Sequence, residues 1–95
     1  MDKITAKKIL SDAVEIALLA KRFNKTYGGL LNNFYDGMIH FDGYSGKGNE
    51  IIDAMQLTRS YMPYGNHILV KFKFDGITFE YFDYSEEGDE DANRD

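Results

Sequence analysis

Cysteine is absent from this 95-residue chain, tryptophan is absent as well, and proline occurs once. Without cysteine there is no disulfide, no thiolate nucleophile and no cysteine-ligated zinc or iron–sulfur site. No apolar run approaches the ~20 residues of a membrane-spanning helix, so we expect no membrane partner. The amino end also lacks the basic, apolar and small-residue pattern of a secretory signal, and we therefore expect a cytoplasmic protein.

The residues that are present favour a folded domain. Hydrophobic residues make up 43% of the chain and aromatic residues 15%, with seven phenylalanines and seven tyrosines. This composition argues against disorder, and the length allows one core. We assign residues 1–84 to a single α+β domain and residues 85–95 to an acidic tail, which has only Ala92 to bury. Such a segment cannot offset its ordering entropy, so we expect it to be mobile.

The first long segment has a helical pattern. Apolar residues recur every three or four positions up to Tyr27, and charged residues occupy the other side. Thr5 is a candidate N-cap, and Gly28-Gly29 favours the left-handed backbone that ends helices. We predict a helix over residues 5–27.

The middle of the chain begins with a predicted short strand over residues 38–41. Asp-Gly turn signals flank it, at residues 36–37 and 42–43. Residues 30–35 suit either of two structures. They extend the first helix after a break, or they pair with the short strand across the turn.

A second helix is predicted to follow the glycine-rich segment 43–48. Asn49 resembles an N-cap, Glu50 suits a first turn, and Pro63 makes a helix beyond Met62 unfavourable. Residues 55–61 also alternate in the manner of a strand, so both readings stay open there.

The carboxyl third has the clearest strand pattern. Asp75-Gly76 predicts a two-residue type I′ hairpin turn. The register that follows places apolar residues together on one face: Phe74 opposite Ile77, Phe72 opposite Phe79 and Val70 opposite Tyr81. The other face then pairs Lys71 with Glu80, Lys73 with Thr78 and Leu69 with Phe82.

An aromatic face of this kind needs cover, and the first helix is its natural neighbour. The expected fold is therefore α+β. A long N-terminal helix packs on a small antiparallel sheet that ends in a C-terminal β-hairpin, in the order α-β-α-β-β.

Charge is polarised along the chain. Residues 1–35 sum to +3 and residues 36–95 to −8, which gives the total of −5. An acidic protein is unsuited to wrapping duplex nucleic acid, so we expect no direct nucleic-acid partner. The acidic end either maintains solubility or meets a basic surface on a partner protein. For the second case the candidate partner-binding residues are Asp83, Tyr84, Glu86, Glu87, Asp89, Glu90 and Asp91, and Tyr81 is a possible further anchor that is more typical of a sheet position.

Three patterns suggest chemistry and none completes a site. Segment 43–48 lacks P-loop spacing, since Gly48 stands where the motif has Ser or Thr, although its amides could hold an anion weakly. His40 has only Asp36 and Asp42 near it in sequence, which is too few ligands for a metal. The acidic tail lacks the Gly and Glu of a calcium loop. We therefore expect no cofactor, no metal and no enzymatic activity.

The short cysteine-free α+β chain, its single long helix beside an aromatic hairpin, and the run Glu86-Glu87-Gly88-Asp89-Glu90-Asp91 together resemble a known class. They are similar to the small acidic anti-CRISPR and anti-restriction proteins of phages and mobile elements. The resemblance is to the class as a whole, which shares no motif from which residues can be transferred. It implies occlusion of a nucleic-acid-binding surface by charge mimicry. Because the first helix is basic, a local acidic plug fits this chain better than mimicry of a whole duplex.

These observations lead to one function and two alternatives. The chain is expected to bind and inhibit a nucleic-acid-handling host protein, such as a CRISPR effector or another defence nuclease, by placing acidic residues in its basic site. It could instead be an immunity protein for a nuclease toxin. A third interpretation is a self-associating structural module, and the sequence leaves the oligomeric state open.

Overall fold

A computed structural model describes residues 1–84, which form two helices and five strands. Ser85 to Asp95, for which an acidic tail was predicted, lie outside the described residues. In chain order the elements are α1 (Lys3–Tyr27), β1 (Leu31–Tyr35), β2 (Met38–Phe41), α2 (Lys47–Met55), β3 (Arg59–Tyr64), β4 (His67–Phe74) and β5 (Ile77–Asp83).

The α+β class is confirmed, but the element order is α-β-β-α-β-β-β rather than α-β-α-β-β. The strands form one sheet in the order β1-β2-β5-β4-β3. The sheet is mixed instead of antiparallel, since β2 runs parallel to β5. The parallel pairing arises because α2 carries the chain from β2 across two strands to the far edge of the sheet, and β4 and β5 then return by hairpins.

The carboxyl-terminal hairpin has the predicted register. Phe72 lies opposite Phe79, Val70 opposite Tyr81 and Lys71 opposite Glu80. The left-handed backbone of Asp75 and Gly76, with φ of 55° and 80°, fits the predicted turn. Residues 30–35 were predicted either to extend the first helix or to pair with the short strand. The second alternative is confirmed, because β1 pairs with β2 across the turn at residues 36–37.

Residues 55–61, for which both a helix and a strand were considered, contain the end of one and the start of the other. The second helix ends at Met55, where Gln56 takes a left-handed φ of 55°, and β3 begins at Arg59. Pro63 was expected to lie beyond a helix, but it belongs to β3 and pairs with Ile68. A proline is tolerated there because β3 is an edge strand, and an edge strand leaves alternate N–H groups unpaired.

Two predicted helix caps are corrected. The N-cap of α1 is Asp2, whose carboxylate accepts a 2.7 Å hydrogen bond from the backbone N–H of Thr5. This hydrogen bond lowers the pKa of the Asp2 carboxyl. Gly46 caps α2, with a φ of 72°, and Asn49 lies within the helix, where its side chain has another role.

The first helix does not cover the aromatic face, contrary to the prediction. No residue of α1 is buried, and only Phe23 packs against the core from its end of the sheet. The shorter α2 lies over the face instead, because the connection from β2 to β3 must cross it. The buried core consists of Leu30, Phe41, Ile52, Val70, Phe72 and Tyr81. The described residues consequently extend 62 Å in one direction and 26–27 Å in the others.

Candidate functional site

The two predicted site residues that the structure describes point to opposite faces of the sheet. Asp83 ends β5 on the face that α2 covers, and its carboxylate accepts a 3.4 Å hydrogen bond from the Asn49 side chain. Tyr84 follows on the other face, because successive residues of an extended chain alternate. The remaining five, Glu86, Glu87, Asp89, Glu90 and Asp91, lie outside the described residues.

Tyr84 belongs to a group of aromatic rings at the end of β5. The Tyr44 ring stacks on it, with centroids 4.3 Å apart and planes at 11°, and the His67 ring meets it edge-on at 4.9 Å. Phe82 lies 6.3 Å from Tyr84 and 5.6 Å from Tyr64. We name these five residues, Tyr44, Tyr64, His67, Phe82 and Tyr84, the tyrosine cluster.

Close backbone packing presents Tyr44 to this cluster. A Cβ atom on Gly43 would lie 2.0 Å from the carbonyl oxygen of Phe82, so only glycine lets the loop after β2 run against β5. The Asp42 carboxylate accepts a 3.2 Å hydrogen bond from the Ser45 N–H and closes the turn around Tyr44. With the backbone fixed on both sides, Tyr44 remains 80% exposed while its ring stacks on Tyr84.

Two further members of the cluster flank the turn between β3 and β4. Tyr64 ends β3 and His67 begins β4, and Gly65 between them has a φ of 63°. Tyr64 is 61% exposed. The cluster therefore offers two accessible tyrosine rings, Tyr44 from the loop after β2 and Tyr64 from the end of β3, and aromatic side chains of this kind are enriched in protein interfaces.

The residues that follow this cluster in the sequence account for the net charge of the protein. Residues 1–84 contain ten acidic and ten basic side chains, so the whole net charge of −5 belongs to residues 85–95. The polarity predicted between the two halves persists within residues 1–84, where residues 1–35 sum to +3 and residues 36–84 to −3, and residues 85–95 add −5. Tyr84 directly precedes this last segment.

Behind the cluster, a polar network joins α2 to the sheet. The Tyr81 hydroxyl donates a 2.5 Å hydrogen bond to the side-chain oxygen of Asn49, which also accepts one from Arg59 at 3.3 Å. Arg59 donates a second, 2.9 Å, to Asp53. Burial raises the pKa of the Tyr81 hydroxyl to about 12. Tyr81, the possible interface anchor, is therefore a core residue, as its expected sheet position indicates.

The positively charged side chain of the glycine-rich segment 43–48 is Lys47, and it is not available to bind an anion. The Lys47 ammonium donates a 2.7 Å hydrogen bond to the Tyr27 carbonyl oxygen at the end of α1. Lys47 thus joins the two helices. Gly48 lies against the Tyr81 ring, where a Cβ atom would come within 2.6 Å.

His40 pairs with a residue that sequence proximity does not indicate. Its Nδ1 lies 3.1 Å from a carboxylate oxygen of Glu80 on the neighbouring strand, and the Lys71 ammonium lies 3.9 Å from the other oxygen. Asp36 and Asp42, the predicted neighbours, are not its partners. Among residues 1–84, no group of three or more His, Asp or Glu side chains is placed to hold a metal ion.

Comparison of the chain with protein-family models, with curated proteins and with solved structures finds no match. Within the described residues, neither helix is long and apolar enough to cross a membrane. The function is therefore inferred from the chain's own residues.

The sequence did not indicate the open apolar surface of α1. Its aliphatic stripe was interpreted as the cover of the sheet, yet several of its residues are exposed by half or more: Ile4, Ile9, Leu10, Val14, Leu18 and Leu19. The signal that could have revealed this surface is the width of the stripe, because aliphatic residues extend well past the face that Phe23 turns to the sheet.

Proposed function

We propose that this protein is a non-enzymatic inhibitor that binds the basic nucleic-acid site of a partner protein through its acidic carboxyl end. The observation that carries the proposal is the tyrosine cluster directly before a segment that holds the entire net charge of −5. The cluster supplies accessible rings, and the segment supplies carboxylates.

A surface that binds nucleic acid presents arginine and lysine side chains toward phosphates, together with groups on which bases stack. Carboxylates are attracted to the same cations. The exposed faces of Tyr44 and Tyr64 can stack with guanidinium groups and aromatic rings in the positions of bases. Rings and carboxylates side by side therefore suit such a surface better than either does alone.

The opposite charges also predict how the two proteins associate. Long-range attraction speeds the encounter of an acidic segment with a basic cleft, and salt screens it. We expect association to slow as ionic strength rises, whereas a purely apolar contact would change little.

The experiment compares two variants that lose the same five negative charges in different places. One carries Glu86→Gln, Glu87→Gln, Asp89→Asn, Glu90→Gln and Asp91→Asn, and the control carries Asp12→Asn, Glu15→Gln, Asp36→Asn, Glu50→Gln and Asp75→Asn. Each is immobilised and exposed to host lysate at low salt, and bound proteins are eluted with excess oligonucleotide.

The wild-type chain and the control variant should retain a nucleic-acid-binding protein that the oligonucleotide elutes, and the first variant should lose it. Equal retention by both variants would contradict a role for the acidic segment. Retention that the oligonucleotide leaves unchanged would contradict occupation of the nucleic-acid site.

Self-association is a second candidate activity, since the exposed surface of α1 specifically favours it. Its structural basis is independent of the tyrosine cluster and is developed next.

A further inference from the structure

The amino-terminal half of α1 carries large apolar side chains that touch no core. Ile4, Ile9, Leu10 and Val14 are between 50 and 84% exposed. A helix that is stable in water usually buries most of its large apolar side chains against another element. Within residues 1–84 this half of the helix has no such element, since α1 has no buried residue.

The same chain has an open apolar groove between the other half of α1 and the sheet. The groove has a volume of about 540 Å³, and its walls include Ile16, Leu19 and Phe23 from the helix and Met38, Ile77 and Phe79 from the sheet. We name it the open groove. If α1 packed on the aromatic face as the sequence predicts, the helix would fill this groove.

The direction of α1 determines where its exposed half lies. Asn24 forms hydrogen bonds of 2.7 and 2.9 Å with the backbone of Leu31, which holds the end of the helix at the start of β1. Because Ile16 and Leu19 share the groove with Tyr35 and Gly37, the helix runs back along β1 toward the turn at residues 36–37. Residues before Ile16 therefore extend past that end of the sheet.

The helix cannot fill its own groove. At 1.5 Å per residue its 25 residues span about 37 Å, whereas the eight residues of β4, the longest strand, span about 26 Å. No glycine or proline interrupts residues 3–27, so the amino-terminal half has no hinge at which to fold back. Within residues 1–84, the exposed half of α1 therefore cannot occupy the groove of its own chain, whereas the same half of a second copy can.

Charges at the two surfaces are complementary. Lys3, Lys7 and Lys8 are exposed on the extending half of α1. The turns that contain Asp36 and Asp75 lie side by side at the sheet end nearest the open groove, since Met38 and Thr78 are paired neighbours, and both aspartates are exposed. A second copy that enters the groove amino end first brings Lys7 and Lys8 near these carboxylates, whereas its Lys3 lies farther along the groove.

We propose that the open groove receives the amino-terminal half of α1 from a second copy of this chain, in an antiparallel two-fold pair. Each copy then donates a helix half and accepts one, so a single pairing closes both grooves. Closed two-fold dimers of this kind are the commonest protein oligomers, and a stable one buries about 800 Å² per partner. Two insertions per dimer, each by a helix half about 20 Å long, suit an interface of that size.

The first test measures the oligomeric state by analytical ultracentrifugation over a concentration series, with no other protein present. The wild-type chain should dimerise, and Ile9→Gln with Leu10→Gln should weaken the dimer at least tenfold. Ser11→Gln on the polar side of the same helix turn is the control and should leave dimerisation unchanged. Circular dichroism should show an unchanged helix content, since these side chains touch no core.

The second test measures the arrangement with spin labels, and the lack of native cysteine allows a single label per chain. In an antiparallel pair centred near Ala13, labels on Ala13→Cys lie close together. Labels on Lys25→Cys lie about 36 Å apart along the helix axes, because 12 residues separate this position from Ala13 on each helix.

A monomer at every concentration would overturn the inference, and so would a dimer with equal label distances, as in a parallel pair. The inference does not rest on the proposed function, because both tests use the isolated chain. Failure of the dimer therefore leaves the acidic-segment experiment unaffected.

Discussion

The rings of Tyr44 and Tyr84 are stacked 4.3 Å apart, although 40 residues separate them in the sequence. This contact joins the loop after β2 to the end of β5, where the acidic segment begins. It gives the chain an aromatic surface directly before the segment that carries its largest net negative charge. The proposed inhibitory function depends on this juxtaposition.

Tyr44→Ala should weaken partner binding with little effect on folding. The ring is 80% exposed, so its removal creates no cavity, but it takes away an accessible aromatic face. Central aromatic residues of interfaces typically contribute about 2 kcal/mol or more, so we expect a loss of affinity of at least about tenfold. Affinity is measured by surface plasmon resonance with the captured partner. Tyr61→Ala, a 61% exposed tyrosine outside the cluster, is the control and should keep its affinity.

Alkaline pH should destabilise the fold through Tyr81. Burial raises the pKa of this hydroxyl from 10 to about 12 in the folded state, so folding favours its neutral form. The stability that this provides is complete below pH 10 and is lost as pH rises through about 12. A shift of this size corresponds to a loss of up to about 3 kcal/mol in the free energy of unfolding.

Urea denaturation at a series of pH values checks this prediction. Tyr81→Phe lacks the ionisable hydroxyl and should lose less stability between pH 10 and 12 than the wild-type chain. Tyr61→Phe should behave as the wild type does. A parallel decline for Tyr81→Phe and the wild type would show that other groups cause the alkaline loss.

Gly48→Ala should destabilise the protein although alanine is the better helix former. The added Cβ atom would lie 2.6 Å from the Tyr81 ring, and that ring is held by its hydrogen bond to Asn49. Overpacking of this kind costs about 1–3 kcal/mol, which exceeds the roughly 1 kcal/mol that alanine gains over glycine in an open helix. Thermal and urea unfolding measure the loss. Glu50→Ala on the exposed side of α2 should change stability little, and a stabilised Gly48→Ala would contradict the close packing of α2 on Tyr81.

Local patterns in the sequence were enough to predict the hairpin of β4 and β5. Alternation of apolar residues and the turn at Asp75-Gly76 act over a few neighbours, so Phe72 and Phe79 could be paired from the sequence alone. The parallel pairing of β2 with β5 could not, because it depends on where α2 returns the chain. The continuation of β3 through Pro63 was missed for a related reason. The effect of a proline on a strand depends on whether that strand is an edge, which the sequence does not state.

The candidate site could be predicted only in part, because some of its contacts join residues that are distant in the sequence. Tyr84 was recognised from its position before the acidic run, but Tyr44 was assigned to a connecting loop. Its approach to Tyr84 requires the close contact of Gly43 with Phe82, which joins distant parts of the chain. For α1, the amphipathic pattern showed that apolar residues need a partner. It did not show whether that partner belongs to the same chain.

Competition between this protein and nucleic acid for the purified partner tests the central claim most directly. A fluorescent oligonucleotide bound to the partner is titrated with the wild-type chain, and anisotropy reports release of the oligonucleotide. Complete displacement is predicted, with weaker displacement by the variant that lacks the five carboxylates of residues 86–91. A stable complex that contains partner, oligonucleotide and this protein together would contradict the account.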